Sequence, residues 1–377
     1  MKLDIPFAGS LKKADVSCRK HAADCFIQRS NRELGSLARH RAYLGKPPKK
    51  GSVVPFPCDP AKVFATQVKG LAARLKAIKC RDVVLGLSGG LDSTLALLVA
   101  DAAFQKLKLD KRGIHIYAMP GFGTSKRTKG NAELLCEGLG LKLEFISIVK
   151  SVRQHLKDIG HDGKTPDVIY ENAQARMRTM ILMDKANMTG GIVLGTGDLS
   201  EIALGWSTYN GDHMSMFGVN SGVPKTVIRK VCSWFVLTQR HRGTEKNLKA
   251  ADAVEDIVNT PVSPELVKGQ VTEDKIGPYE LHDFFLWNFI MNEMGSKDLQ
   301  KAAERYFLGS STPQPRNPAT SQPITRELIA RTLKTFSWRF FTQAFKRNCQ
   351  PDGIKVFPFE LSLHGWWIPS DLGFVKI

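Results

Sequence analysis

Two hydrophobic periods alternate along the middle of this chain. Between Val63 and Leu75 apolar residues recur at helical spacing. Short apolar runs then trade places with longer amphipathic ones. The pattern predicts strand 83–87, helix 92–107, strand 114–119, helix 128–138, strand 142–148, a long helix at about 170–187 and a strand at 192–195. Alternating β and α units of this length predict an α/β fold, a parallel sheet with helices on both faces, Rossmann-like in plan. In such a sheet ligands bind at the carboxyl ends of the strands.

After residue 240 a polar, charge-mixed stretch runs to about 275. A helical segment follows from Pro278 to Met294, carrying Leu281, Phe284, Phe285, Leu286, Phe289 and Ile290, and a second from Thr325 to Asn348. Gly309 to Pro315 is a loop. These segments predict a C-terminal helical cap, about 276–377, on a domain that begins at residue 53. Residues 1–52 read as a basic, loosely ordered leader broken off by Gly45-Lys46-Pro47-Pro48-Lys49-Lys50-Gly51. Nothing repeats internally.

Charge changes this picture little. The formal net charge is +18, but residues 1–50 hold 12 Lys/Arg against 4 Asp/Glu, so +8 sits in the leader and +10 in the remainder. That excess suits anionic nucleotide substrates as well as RNA. The seven cysteines, at 18, 25, 58, 80, 136, 232 and 349, form no C-x-x-C pair, which argues against a disulfide framework or a zinc ribbon. No apolar stretch reaches the roughly 18 residues that span a bilayer, and the first residues lack a signal-peptide core. A cytoplasmic protein that meets no membrane is expected.

Candidate chemistry gathers in two turns. The run Val83 to Leu87 leads into Ser88-Gly89-Gly90-Leu91-Asp92-Ser93 and an apolar helix, so a glycine-rich turn opens at a helix's positive end. An anion, pyrophosphate by this pattern, belongs there. The turn has no lysine of its own and carries Asp92, and an acid facing phosphate implies Mg²⁺ between them. A second turn, Gly195-Thr196-Gly197-Asp198-Leu199-Ser200-Glu201, follows the strand Ile192 to Leu194 and should face the same edge. Glu201 would then give the metal a second carboxylate, and Thr196 a hydroxyl for a nucleotide. Taken alone, Thr-Gly-Asp reads equally as an ordinary turn. Asn172 and Arg176 are four apart on one helix face and suit a carboxylate or pyrophosphate, although such a pair alone reads first as a solvated polar face. Lys225, alone, reads as a surface lysine.

In combination these motifs closely resemble the synthetase domain of NAD synthase, of the type normally fused behind a glutaminase domain. The resemblance rests on Glu171 to Arg176, Gly195 to Asp212 and Val219 to Thr226, supported by Met119 to Thr124, Thr272 to Asp283 and Phe345-Lys346-Arg347. It implies the adenine nucleotide alpha-hydrolase-like version of the fold. It also implies ATP-dependent amidation of deamido-NAD through an adenylate, releasing AMP and pyrophosphate. Carried over residue by residue, Gly86, Leu87, Ser88, Gly89, Gly90, Leu91, Asp92, Ser93, Met119, Thr196 and Lys225 would bind ATP. Asn172, Arg176, Glu201, Trp206, Ser207, Thr208, Tyr209, Asp212 and Lys346 would hold deamido-NAD. Asp92 and Glu201 would hold Mg²⁺, and Asp92, Glu201 and Lys225 form the implied catalytic set. For Met119 a core position is an equal reading, and Trp206 and Tyr209 could belong to the core.

The resemblance has gaps. A leader of this length cannot contain a glutaminase, and Cys18 and Cys25 lie in an unpatterned stretch that offers no setting for a reactive thiol. Ammonia from solution or from a separate glutaminase chain is therefore expected, unless the chain is part of a longer product. Lys126 stands where an acidic or polar residue is usual, and the tail from Leu361 to Asp371 lacks an expected Arg and Asp. A homo-oligomer, dimeric or larger, is the expected assembly, and nucleic acid is not an expected partner. Competing readings are another pyrophosphate-loop adenylating enzyme, tRNA-modifying or GMP-synthase-like, and a non-catalytic nucleotide-binding remnant.

Overall fold

The computed structural model describes residues 55–262, 266, 271–309, 323–362 and 365. The leader 1–52 with Cys18 and Cys25, the loop beyond Gly309 and the tail beyond 365 lie outside the described residues. Five parallel strands, β1 (Val83–Gly86), β2 (Ile114–Ala118), β3 (Leu143–Phe145), β4 (Ile192–Gly195) and β5 (Phe217–Gly218), lie in the order β3-β2-β1-β4-β5.

Strand residues alternate between two cores, as the two-residue period of a strand requires. Val83 and Leu85 of β1, Ile116 of β2 and Leu194 of β4 point into the larger core. Val84, Tyr117 and Val193 point the opposite way, into a smaller one. The larger face is covered by α1 (Pro60–Ala77), α2 (Leu91–Leu107) and α3 (Lys126–Leu139), and the smaller by α4 (Val149–Asp158) and α5 (Val168–Thr189). Strands buried on both faces read as continuous apolar runs, so the expected architecture is the observed one.

On the larger core the chain continues through the short α6 (Leu199–Leu204), then α7 (Lys225–Arg242) and α8 (Glu245–Val258). In the segment read as a cap lie α9 (Thr272–Ile276), α10 (Tyr279–Met291), α11 (Ser296–Leu308), α12 (Arg326–Thr342) and α13 (Ala344–Arg347). Phe284, Phe285, Phe336 and Phe340 of the cap belong to the same apolar cluster as α1, α2, α7 and α8.

Differences from expectation have local causes. Strand 142–148 ends at Phe145, because Ile148 turns its N–H onto the Pro120 carbonyl and enters α4. The helix expected from 325 to 348 breaks at Gln343, whose side chain packs onto Gly205. Gly205 has φ +55°, and a Cβ there would lie 2.5 Å from that of Gln343, so only glycine admits the contact. Helix α8 falls inside the stretch read as merely polar. Its buried stripe is Ala250, Ala251, Ala253, Val254 and Ile257, too small and too mixed with charge to stand out.

Among the described residues no helix is long and apolar enough to cross a membrane. Cys58, Cys80, Cys136, Cys232 and Cys349 are free thiols. Burial pushes the Cys136 thiol up to about 12 and raises Cys232 further, which makes both inert.

Candidate active site

The strand order places the two turns together. From β1 the chain winds outward through β2 and β3, then returns to the other side of β1 for β4 and β5. A crevice opens where the winding reverses, at the carboxyl ends of β1 and β4. The turn 87–93 leaves one strand and 196–201 leaves the other.

The first turn is set by its serines. Ser88 N–H donates to Ser93 Oγ at 3.2 Å, the two hydroxyls lie 3.0 Å apart, and Gly90 N–H donates to Ser88 Oγ at 3.1 Å. Gly89 has φ +78°, and a Cβ there would meet the Thr128 carbonyl at 2.3 Å, so the turn passes against α3 only as glycine. Gly90 caps α2 without a side chain, which leaves N–H groups of the helix's first turn facing the crevice. Gly86 lies under the methyl of Met119, itself 7% exposed in the smaller core.

In the second turn Asp198 caps α6, accepting from Glu201 N–H at 2.9 Å. Asp198 to Glu201 is a D-x-x-E sequence, the spacing of a capping box. Asn220, fully buried just after β5, donates to the carbonyls of Asp92 at 2.9 Å and Thr196 at 3.2 Å.

Lys225 lies between the turns. Its residue is 1% exposed, so it is not the surface lysine that the isolated residue suggests. Its Nζ lies 2.6 Å from Asp92 Oδ2, 2.6 Å from Asp198 Oδ2 and 2.8 Å from Glu201 Oε1. Asp92 Oδ1, the other oxygen of that carboxylate, is buried without a hydrogen-bond donor. The Tyr279 ring, centred 5.4 Å from Nζ, forms the floor.

Burial pushes Glu201 up to about 7 and Asp198 well above the usual carboxylate range, with Lys225 pulling both back. Burial would lower Lys225 too, but the carboxylates of Asp198, Asp92 and Glu201 outweigh it and hold the ammonium charged far into the alkaline range. One cation does not neutralise three ionised acids, so Asp198 and Glu201 hold their protons more tightly and a further cation suits the site. Ligand oxygens of Asp92, Asp198 and Glu201 all lie within 4.8 Å of one another. Hard oxygen donors so grouped, one of them, Asp92 Oδ1, buried without a donor, fit a divalent cation such as Mg²⁺.

The remaining expected residues form a second group along the turn after α6. Asn172 Oδ1 accepts from the Thr208 hydroxyl at 2.8 Å, Asp212 Oδ1 from Thr208 N–H at 2.8 Å, and Arg176 donates to the Tyr209 carbonyl at 3.2 Å. Lys346 donates to the carbonyls of Gly205 at 2.8 Å and Ser207 at 2.6 Å. Arg339 stands 4.8 Å over the Trp206 ring, and Tyr209 stacks on His213. Thr196, Glu201, Ser207 and Asp212 share a narrow cleft of about 30 Å³ with His213, Ser215 and Gln350, none of which sequence reading singled out. Ile202 and Gln350 separate it from a larger cavity of about 300 Å³ bounded by Arg74, Phe217 and Asp352.

Sheet order, glycine-rich turn and acidic cluster together define a parallel α/β protein of the adenine nucleotide alpha-hydrolase-like kind. Two solved structures share the fold. One is a glutamine-dependent NAD(+) synthetase from Cytophaga hutchinsonii, with TM-score 0.60 and 16% identity, covering 82% of this chain and 54% of that one. The other is the NMN synthetase from Francisella tularensis, with TM-score 0.52 and 24% identity, covering 68% of this chain and 99% of that one.

The chain belongs to the NAD synthase family, whose model matches residues 63–306. It is 36% identical over 380 residues to the glutamine-dependent NAD(+) synthetase of Mycobacterium tuberculosis (strain ATCC 25618 / H37Rv), covering 92% of this chain and 55% of that protein. To the protein of that name from Mycobacterium leprae (strain TN) it is 38% identical over 346 residues, covering 84% of this chain and 50% of that one. It thus spans about half the length of these curated relatives.

Proposed function

We propose that this chain makes NAD by ATP-dependent amidation of deamido-NAD. The observation that carries the reading is the meeting of Asp92, Glu201 and Lys225, from two turns and a helix start, at the winding reversal of a NAD synthase family sheet. The nicotinate carboxylate attacks the α-phosphorus of ATP and pyrophosphate leaves. Ammonia then attacks the acyl carbon of the adenylate and AMP leaves.

The turn 87–93 and the first N–H groups of α2 bind the pyrophosphate portion. Lys225 turns its ammonium from the acids toward the α-phosphate, where negative charge gathers in the transition state. Thr196 lies on the cleft wall beside Glu201, within reach of the nucleotide. Asn172, Arg176 and Lys346 hold the 205–212 turn in the shape that receives deamido-NAD. Mg²⁺, held by Asp92 and Glu201, would supply charge neutralisation on the leaving group.

The nitrogen enters as ammonia. The decisive experiment incubates the purified chain with ATP, Mg²⁺ and deamido-NAD, with ammonium or glutamine in parallel, and follows NAD and AMP. Product with ammonium and little with glutamine is expected. ATP binding without product from either would favour a nucleotide-binding remnant.

The same proposal includes a cytoplasmic homo-oligomer. On helix α5 Val168, Met180 and Met188 are 66%, 53% and 75% exposed, apolar side chains that an assembly would cover. Light scattering would report a mass above 41.8 kDa.

A further inference from the structure

Asp283 reaches the acid cluster from the cap. It lies on α10, 1% exposed, and its oxygens end on two other helices. Oδ2 accepts from the Thr226 N–H at 3.0 Å and from the Thr226 hydroxyl at 2.6 Å, while Oδ1 accepts from the Ser200 hydroxyl. Ser200 Oγ in turn accepts from the Lys225 N–H at 2.8 Å.

Helix α7 begins at Lys225 behind Pro224, which offers no capping side chain. Its first donors must therefore be met from elsewhere, and Asp283 and Ser200 meet them. Ser200 also directly precedes Glu201 on α6. One buried carboxylate is thus bonded, directly or through one hydroxyl, to the main chain that carries Lys225 and to the residue beside Glu201.

The opposite end of α6 is held from the cap as well. Arg347 donates to the Ala203 carbonyl at 2.9 Å, Arg339 to Leu204 at 2.9 Å and to Gly205 at 3.2 Å. A helix of six residues has little stability of its own, so its position is the one these contacts give it.

We propose that Asp283 is a positioning residue. Through Ser200 and Thr226 it sets the main chain at Lys225 and Glu201 so that ammonium and carboxylates converge, while touching no substrate. The inference rests on the reading of Lys225 and Glu201 as groups of the reacting site. Burial lifts Asp283 to about 6, with the bonds from Ser200 and Thr226 pulling it back, in keeping with a carboxylate held by its donors.

The test uses the full chain as wild type, Asp283→Asn and Ser200→Ala. In Asp283→Asn the amide keeps volume and one acceptor for Thr226, but its NH₂ faces Ser200 Oγ and competes with the Lys225 N–H. Ser200→Ala cuts the bond from α6 to Asp283 and the arm to the Lys225 N–H, and leaves Asp283 bonded to Thr226. Three readouts apply: circular dichroism with thermal unfolding, kcat and KM in the ammonium assay, and acetylation of Lys225 by acetic anhydride followed by peptide mass spectrometry.

Both variants should stay folded, keep KM for ATP near the wild-type value, lose kcat by about tenfold or more as expected for a misplaced catalytic group, and acetylate faster at Lys225. Unchanged kcat and Lys225 labelling in both would overturn the proposal. So would loss of kcat accompanied by loss of the fold, which marks a purely structural role. Should the wild type show no turnover, the functional reading fails, whereas Lys225 labelling still decides whether Asp283 places that residue.

Discussion

Asn220 holds Asp92 by its main chain, donating from its side-chain amide to the Asp92 carbonyl at 2.9 Å, and the same nitrogen reaches the Thr196 carbonyl at 3.2 Å. Gln67 orients that amide by donating to Asn220 Oδ1 at 3.0 Å. The two turns are therefore one body. Asn220→Ala should release them, lowering stability by about 1–3 kcal/mol for the buried groups left unpaired. Urea unfolding and the ammonium assay check this. A variant with wild-type turnover would show that the turns keep their spacing without the tie.

Asp92→Asn and Glu201→Gln each remove one charge from the cluster without changing volume. Each should abolish turnover while the circular dichroism spectrum persists. Titrating Mg²⁺ against thermal unfolding in the absence of nucleotide gives a second readout, since a lost carboxylate should weaken the metal's stabilising effect. Full activity in either variant removes that residue from the site.

Lys225→Met leaves Asp92, Asp198 and Glu201 facing one another within 4.8 Å with no internal cation. Removing one partner of a buried ion cluster costs about 3–5 kcal/mol. The variant should melt earlier in chelator and recover more on adding Mg²⁺ than the wild type does, because the metal then supplies the missing positive charge. Equal Mg²⁺ shifts in the two proteins would argue that metal and lysine occupy separate places.

Glu280 on α10 gives a pH signature apart from the acid cluster. Burial, then the nearby Glu273 charge, pushes it up to about 7 from 4.5, with its own backbone N–H and Arg229 opposing and Asp283 adding to the rise. An acid whose pKa is higher folded than unfolded binds its proton more tightly in the native state. Its contribution is complete below pH 4.5 and is lost as pH rises through about 7. Glu280→Gln keeps a neutral group there, so its stability curve should flatten across that window, gaining up to about 3 kcal/mol on wild type at the alkaline end. Urea titrations at three pH values would show it, and parallel curves would refute it.

Much of this was legible in the sequence, for reasons specific to each part. Strands β1, β2 and β4 are buried on both faces and so stand out as apolar runs between turn residues. The turn 88–93 announced itself because glycine and serine have few other uses between such a strand and a helix. Helix α8 was hidden because it packs through alanines. Lys225 was ambiguous for a different reason: burial of an ammonium depends on partners 24 to 133 positions away, of which Asp198 was read only as a turn residue. The D-x-x-E spacing of Asp198 and Glu201 was the available signal for a cap. For Asp283, 83 positions from Ser200, no local pattern exists.

The cations that hold the end of α6 give the chain a schedule. Arg339, Lys346 and Arg347 are among the last described residues to be synthesised, yet they fix the carbonyls of Ala203, Leu204, Gly205 and Ser207. A nascent chain can thus complete its sheet and its first turn while the helix bearing Glu201 still lacks its anchor. Competence arrives late, when the residues up to 347 dock, so a product stopped short of them would fold in part and remain silent.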